Sequence, residues 1–263
     1  MKRIVVQSCW PLGVLVLVVL GWHGATVMFD IPPYILPGPG RVLAAGIERH
    51  ANLLLAVRTS ATAAVSGFLL AAFLGVMAAV VLAQSPLIRR CLVPYTILLQ
   101  TVPVVAIAPL ILMWFGSGLR SVVIVVAIIC LFPIIANTTQ GLVSVDRNLL
   151  DLFRMSNASR LQVLVRLRLP HALPSLFTGL RISSGLSVIG AFTGEWFASS
   201  NTVGQGGLGY SIIYANSQLQ TDYLFALVLA CAALGSTFFF AVVGCEWLLL
   251  HHWHESALKA EGD

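Results

Sequence analysis

Charge is scarce in this 263-residue chain, where Asp, Glu, Lys and Arg together make up only 10%. An ordinary soluble domain carries about a quarter. A water-soluble fold of this length would lack the polar residues to cover its surface, so that class is excluded. Cysteine pairs are missing too. Cys9, Cys91, Cys130, Cys231 and Cys245 stand singly in or beside apolar segments, without metal-ligand or redox spacing. They read as small hydrophobes. No Walker motif and no nucleophile–base pair is present. The run "GQGGLG" (Gln205 within it) follows no strand, so it is no dinucleotide fingerprint. His251–His254 read as a solvated tail rather than a metal site, and no metal or cofactor is expected. The net charge of +5 would suit nucleic acid, but its distribution, described next, argues against such a partner.

Apolar length is what the chain has instead: 58% hydrophobic residues and a mean hydropathy of +0.93. A helix needs about 20 mainly apolar residues to cross the hydrocarbon of a bilayer. Six stretches qualify, near Pro11–Phe29, Ala61–Ala83, Leu92–Phe115, Ser121–Gly141, Leu176–Phe197 and Tyr223–Leu250. Long unbroken runs without short alternation favour helices over a barrel, so the fold expected is an all-α polytopic bundle. The first run is read as a span rather than a cleaved leader, because no small-x-small site follows it convincingly.

Cytoplasmic loops collect Lys and Arg. Lys2 and Arg3, then Arg89 and Arg90, then Arg147, Arg154, Arg160, Arg166 and Arg168 fall on one side of a six-span chain, joined by Lys259. The stretch from Ala198 to Asp222 has neither Lys nor Arg. Both termini are therefore expected in the cytoplasm. The first external loop, with Arg41, Arg49 and Arg58, is an exception and is expected to hold a short surface helix. Three parts follow: residues 1–54 as an N-terminal span with an external linker, 55–250 as a core, and 251–263 as a cytoplasmic tail.

A basic segment crowded with arginine, Leu149–Pro174, interrupts the apolar chain. Asp146 is a good N-cap for a helix carrying Leu149, Leu152 and Phe153 on one face. Asn157 suits the left-handed conformation at its end. Ser159 with Gln162 makes a capping-box pattern for a second helix, which Pro170 is expected to end. Two readings of this basic helix pair stand: an amphipathic element lying on anionic lipid, or a docking element whose Leu152 and Phe153 enter a partner's groove.

The segment resembles the "EAA" loop of permease subunits of bacterial ABC importers, whose pattern is Glu-Ala-Ala, three residues, Gly, nine residues, Ile-x-Leu-Pro. Asp151, Leu152 and Phe153 occupy the first positions, Asn157 the glycine position, and Leu167, Arg168, Leu169 and Pro170 the last four. The side chains depart from the pattern while the spacing holds. "LPGPGRVLAAG", "TVPVVAIAPLILMWFGSGLRSVVIVVAIICLFPIIANTTQGLVSVD", "LPSLFTGLRISSGLSVIGAFTGEWFASS" and "GGLGYSI" are similar to permeases for nitrate, sulfonates, taurine and thiamine-pyrimidine precursors, in the family of binding-protein-dependent transport inner-membrane components. The resemblance implies the type I importer permease fold and a bacterial inner-membrane location. It also implies that Asp151, Leu152, Phe153, Asn157, Ala158, Ser159, Leu167, Leu169 and Pro170 form a loop coupled to an ATPase. The partners implied are two ATP-binding cassette subunits, a second permease copy, most simply the same chain, and a periplasmic or lipid-anchored substrate-binding protein. ATP hydrolysis then belongs to a separate subunit, and this chain is not expected to be an enzyme.

Glu195 lies late in the fifth span, where a carboxylate in lipid costs roughly 2.5–3.5 kcal/mol and so should face a cavity or a partner. With Gly194, Pro103 and Pro109 it is a candidate for the translocation path or its outer gate. A carboxylate at the outer interface beside Trp196 is the competing reading. Asn137, Thr138, Thr139 and Gln140 read as polar residues capping a helix end. The solute expected is small and polar, a pyrimidine-type vitamin precursor in the first instance, with nitrate, aliphatic sulfonates or taurine as the alternative. A membrane enzyme or a non-transporting sensor are the other classes weighed.

Overall fold

The computed structural model describes residues 2–101, 103–198 and 206–260, and every regular element among them is helical. In chain order these are α1 (Lys2–Met28), α2 (Pro39–Glu48), α3 (His50–Gln84), α4 (Pro86–Thr101), α5 (Val104–Phe115), α6 (Leu119–Val143), α7 (Arg147–Met155), α8 (Arg160–Val163), a π-helical turn (Leu164–Arg168), α9 (Leu169–Phe197), α10 (Leu208–Ser217) and α11 (Thr221–Ala260). Four stretches are long and apolar enough to cross a membrane: His50–Gln84, Leu119–Val143, Arg160–Phe197 and Thr221–Leu250. Shorter apolar helices occupy Gly13–Met28 and Val104–Phe115.

The core is a three-helix packing of α3, α6 and α9, and small residues make it possible. In lipid no hydrophobic force drives helices together, so close backbone approach and dispersion must do so. A methyl group on Gly67 of α3 would strike Val126 of α6, and one on Gly75 would come within 2.7 Å of Ile134. From α9, a methyl on Gly179 would lie 2.8 Å from the Pro133 carbonyl oxygen, and one on Gly190 3.0 Å from the Val126 Cα. Ala63, Ala64, Ala71, Val122, Val126, Cys130 and Ile134 fill the space between. Two hydrogen bonds stitch α6 to α9, with Ser183 Oγ donating to the Cys130 carbonyl at 3.0 Å and Cys130 Sγ donating to the Ser183 carbonyl at 3.3 Å. On α11, Glu246 pairs with Arg181 of α9.

The outer faces carry exposed Leu69, Phe73, Met77, Val81, Phe240, Leu248 and Leu249. In water these would be a liability; against acyl chains they are the matching surface. α1 is peripheral, its residues Val14–Leu20 exposed, with the Trp22 ring 6.0 Å from Phe225 of α11. The surface helix expected in the first external loop is α2, started by Pro39 in its first turn.

Three expectations need correction. Leu92–Phe115 is not one continuous span. It is divided between α4 and α5, because Pro103 lacks an N–H and sits extended (φ −66°, ψ 114°) as the N-cap of α5. Pro170 does not end the second loop helix. The π turn just before it carries an i→i+5 bond from the Leu169 N–H to the Leu164 carbonyl, and Pro170 falls in the first turn of α9, where a missing N–H breaks nothing. Finally, Asn137–Gln140 do not cap a terminus: α6 runs on to Val143, with the Asn137 amide donating to the Pro133 carbonyl at 2.8 Å.

Candidate functional site

Two places bring chemistry-bearing residues together, at opposite ends of the bundle. The first is the loop between α6 and α9. The Asp146 side chain accepts from the Asn148 N–H at 2.8 Å and starts α7. Asn157 closes it at φ +53°, in the left-handed region. The Asn157 N–H donates to the Arg154 carbonyl and the Ala158 N–H to the Phe153 carbonyl, both at 3.0 Å, the paired bonds of a Schellman end. Two residues on, the Ser159 hydroxyl accepts from the Gln162 N–H at 3.3 Å while the Gln162 side chain accepts from the Ser159 N–H at 2.7 Å. Each cap contributes about 1 kcal/mol. A tight, rigid corner results from residues close together in sequence.

This corner presents apolar side chains outward. Leu152 is 60% exposed, Met155 81% and Leu161 68%. Phe153 is half-buried, as are Ala158, Leu167, Leu169 and Pro170, while Asp151 is exposed and pairs with Arg154 at 2.9 Å. Of the two side chains expected to protrude, Leu152 does so fully and Phe153 only in part. Met155 and Leu161 complete the surface and were not singled out in the sequence, where each reads as one more apolar residue on a mixed helix. The loop is also tied to the bundle. Arg168 donates from Nη1 to the Ala83 carbonyl at 2.9 Å, meeting one of the free carbonyls at the end of α3.

The second place is Glu195, 5% exposed, near the end of α9. Its Oε2 accepts from the Ser60 hydroxyl of α3 at 2.8 Å and from the Gly209 N–H at 2.9 Å. Ser60 Oγ in turn accepts from the Leu208 N–H at 2.8 Å. Leu208 and Gly209 open α10, so its first N–H groups are capped by residues of two other helices, and the carboxylate sits at the positive end of that helix. Gly207 is required by contact, since a methyl there would overlap the Glu195 carboxylate. One on Gly209 would come within 2.5 Å of the Phe192 carbonyl. Among the described residues Oε1 has no hydrogen-bond partner, and Glu195 lines a cavity of about 150 Å³ with Thr59, Leu119 and Tyr210.

The other path candidates are not gathered here. Gly194 lies against Val122, where a methyl would meet that side chain at 3.0 Å. Pro103 and Pro109 stand exposed on α5. Gly204, the first glycine of the "GQGGLG" run, and the side chains of His251–His254 lie outside the described residues. Ser60 is the functional neighbour that sequence reading missed, and only its polarity within an apolar run marks it.

Comparison with known proteins gives the family. The family described as binding-protein-dependent transport system inner membrane component matches residues 55–245. A probable ABC transporter permease protein of Haemophilus influenzae is 34% identical over 91% of this chain and 94% of its own length. A formylaminopyrimidine transport permease of Halalkalibacterium halodurans is 34% identical over 83% of this chain and 86% of its own. A riboflavin transport system permease of Chloroflexus aurantiacus is 36% identical over 94% and 92%. Long apolar helices, a capped loop with an outward apolar face and these likenesses over nearly the full chain converge: the protein belongs to the binding-protein-dependent inner-membrane components and is a multi-pass permease subunit of an ABC importer.

Proposed function

We propose that this permease works as a pair of identical copies with two ATPase subunits, and receives a pyrimidine-type vitamin precursor from a substrate-binding protein on the outer side. The observation that carries the reading is the corner of α7 and α8, where Leu152, Met155 and Leu161 project from a rigidly capped frame. Exposed apolar side chains on a polar, basic body fit a protein groove. The substrate class is supported by the names of two relatives, which carry a formylaminopyrimidine and riboflavin; both are nitrogen heterocycles. Both termini are read on the cytoplasmic side with the loop, the side on which Lys and Arg collect.

Glu195 serves the outer gate by fixing α10 between α3 and α9. With one oxygen committed to Ser60 and Gly209, it acts through the position of α10 rather than by gripping solute.

Met155→Asp tests the docking surface. Its side chain is the most exposed apolar group of α7, so a charge there leaves the bundle intact. Burial of a charge in the partner's groove costs several kcal/mol. The variant should insert and accumulate normally, yet lose ATPase co-purification and uptake. Assembly and uptake at the unsubstituted level would refute the docking surface. The solute is tested separately, by measuring which pyrimidine raises the melting temperature of the partner binding protein.

A further inference from the structure

A third place in the bundle has no part in the reading above. Between α3, α4 and α6, at the end that carries α7 and α8, a cavity of about 560 Å³ opens. Its walls are apolar: Leu82, Pro94, Phe132, Ile135 and Val143. Its polar end holds Arg89 and Arg90, with Thr139 and Gln140. The size falls in the range of small-ligand sites, and apolar walls with a few convergent polar groups are their usual chemistry.

Two features of that polar end call for an anion. Arg89 closes the first turn of α4, which has no acidic residue, and Arg90 follows it. Cations at a helix N-terminus are opposed by the helix dipole, and anions are favoured. Among the described residues the ion pairs are Arg154–Asp151 and Arg181–Glu246, so neither Arg89 nor Arg90 has a carboxylate partner. The second feature is independent. Thr139 lines the cavity and is 6% exposed, and its hydroxyl has no hydrogen-bond partner among the described residues. A buried hydroxyl left unpaired is unfavourable, so it is a donor in want of an acceptor.

The geometry points to a binding site for an anionic phospholipid, with the phosphate on Arg89, Arg90 and Thr139 and an acyl chain against Leu82, Phe132 and Val143. Charge complementarity selects the headgroup, since two guanidiniums form strong charge-assisted bonds to phosphate oxygens. The walls select the tail, because a free phosphate would leave the apolar walls of the cavity against water.

Native mass spectrometry of the detergent-purified permease–ATPase complex tests this. The complex is offered phosphatidylglycerol or phosphatidylcholine of identical acyl chains. Phosphatidylglycerol should be retained about tenfold more strongly, the ratio that about 1.4 kcal/mol of charge-assisted bonding gives. Arg89→Gln with Arg90→Gln should abolish the preference, Arg89→Lys with Arg90→Lys should keep most of it, and Thr139→Val should weaken it. Arg160→Gln with Arg166→Gln, in the loop, should leave it unchanged. Equal retention of the two lipids by the unsubstituted complex overturns the site, and this arm needs no variant to fold. Preference surviving both the Gln pair and Thr139→Val places the lipid elsewhere and also overturns it. Inorganic phosphate that displaces phosphatidylglycerol at millimolar concentration would make this a free-anion site and refute the lipid assignment. Loss of the lipid preference would leave ATPase docking by Met155 untouched, so the two readings fail separately.

Discussion

Glu195 has two oxygens with different tasks. Oε2 holds Ser60 and Gly209, while Oε1 has no partner among the described residues. Glu195→Gln can present its amide oxygen to both donors and turn its NH₂ into the cavity, so membrane accumulation should stay near the unsubstituted level. The charge at the N-terminus of α10 is lost, about 0.3–1 kcal/mol of positional preference and up to about 2 when partly buried. Uptake should therefore fall several-fold. Glu195→Leu leaves two buried donors bare at about 1–3 kcal/mol each, and should lower both accumulation and thermal stability in detergent. Undiminished uptake by Glu195→Gln would show that shape alone suffices there. This site was half legible. Glu195 announced itself as a carboxylate in an apolar run, but Ser60 lies 135 positions away and nothing local marks it as the partner.

The elements of the loop were legible because caps are local. Asp146 and Asn148, Asn157 and Arg154, Ser159 and Gln162 each lie within a few residues of one another, so residue type and spacing determine the structure. The π turn at Leu164–Arg168 escaped the same reading, since no residue pattern distinguishes an i→i+5 bond from an i→i+4 bond beforehand. Arg168 was counted as one more cytoplasmic charge, and its bond to Ala83 spans 85 positions. At Asn157 the conformation makes a sharp prediction. Asn157→Gly keeps φ +53° at no steric cost and should leave assembly unchanged or slightly improved. Asn157→Val puts a β-branched side chain where L-residues rarely go, at about 1–3 kcal/mol, and should loosen the corner. Co-purification of the ATPase, compared between the two, is the measurement.

Over the whole molecule, six apolar stretches and their order were visible from composition, yet the division of Leu92–Phe115 at Pro103 and the continuity through Pro170 were not. Both depend on how neighbouring helices meet. The three-helix core rests on contacts at glycine, which makes it testable. Gly67→Leu and Gly190→Leu should force α3 and α9 off α6 and prevent accumulation in the membrane, because a methyl at Gly67 already clashes and one at Gly190 is already tight. Gly244→Leu on α11 is the control: nothing lies within 4 Å of a methyl there, and expression should be unaffected. Failure of the control would mean that this face of α11 is covered in the assembly. The unbroken run Arg160–Phe197 carries one last consequence. The run is roughly 57 Å long, with Leu161 near one end and Glu195 near the other. Its helical backbone is continuous between them, and the π turn contributes to their angular phase. Deleting Val165 would shift that phase by about 100°. The docked face and the α10 capping site would then be out of step, with every individual contact residue still in place.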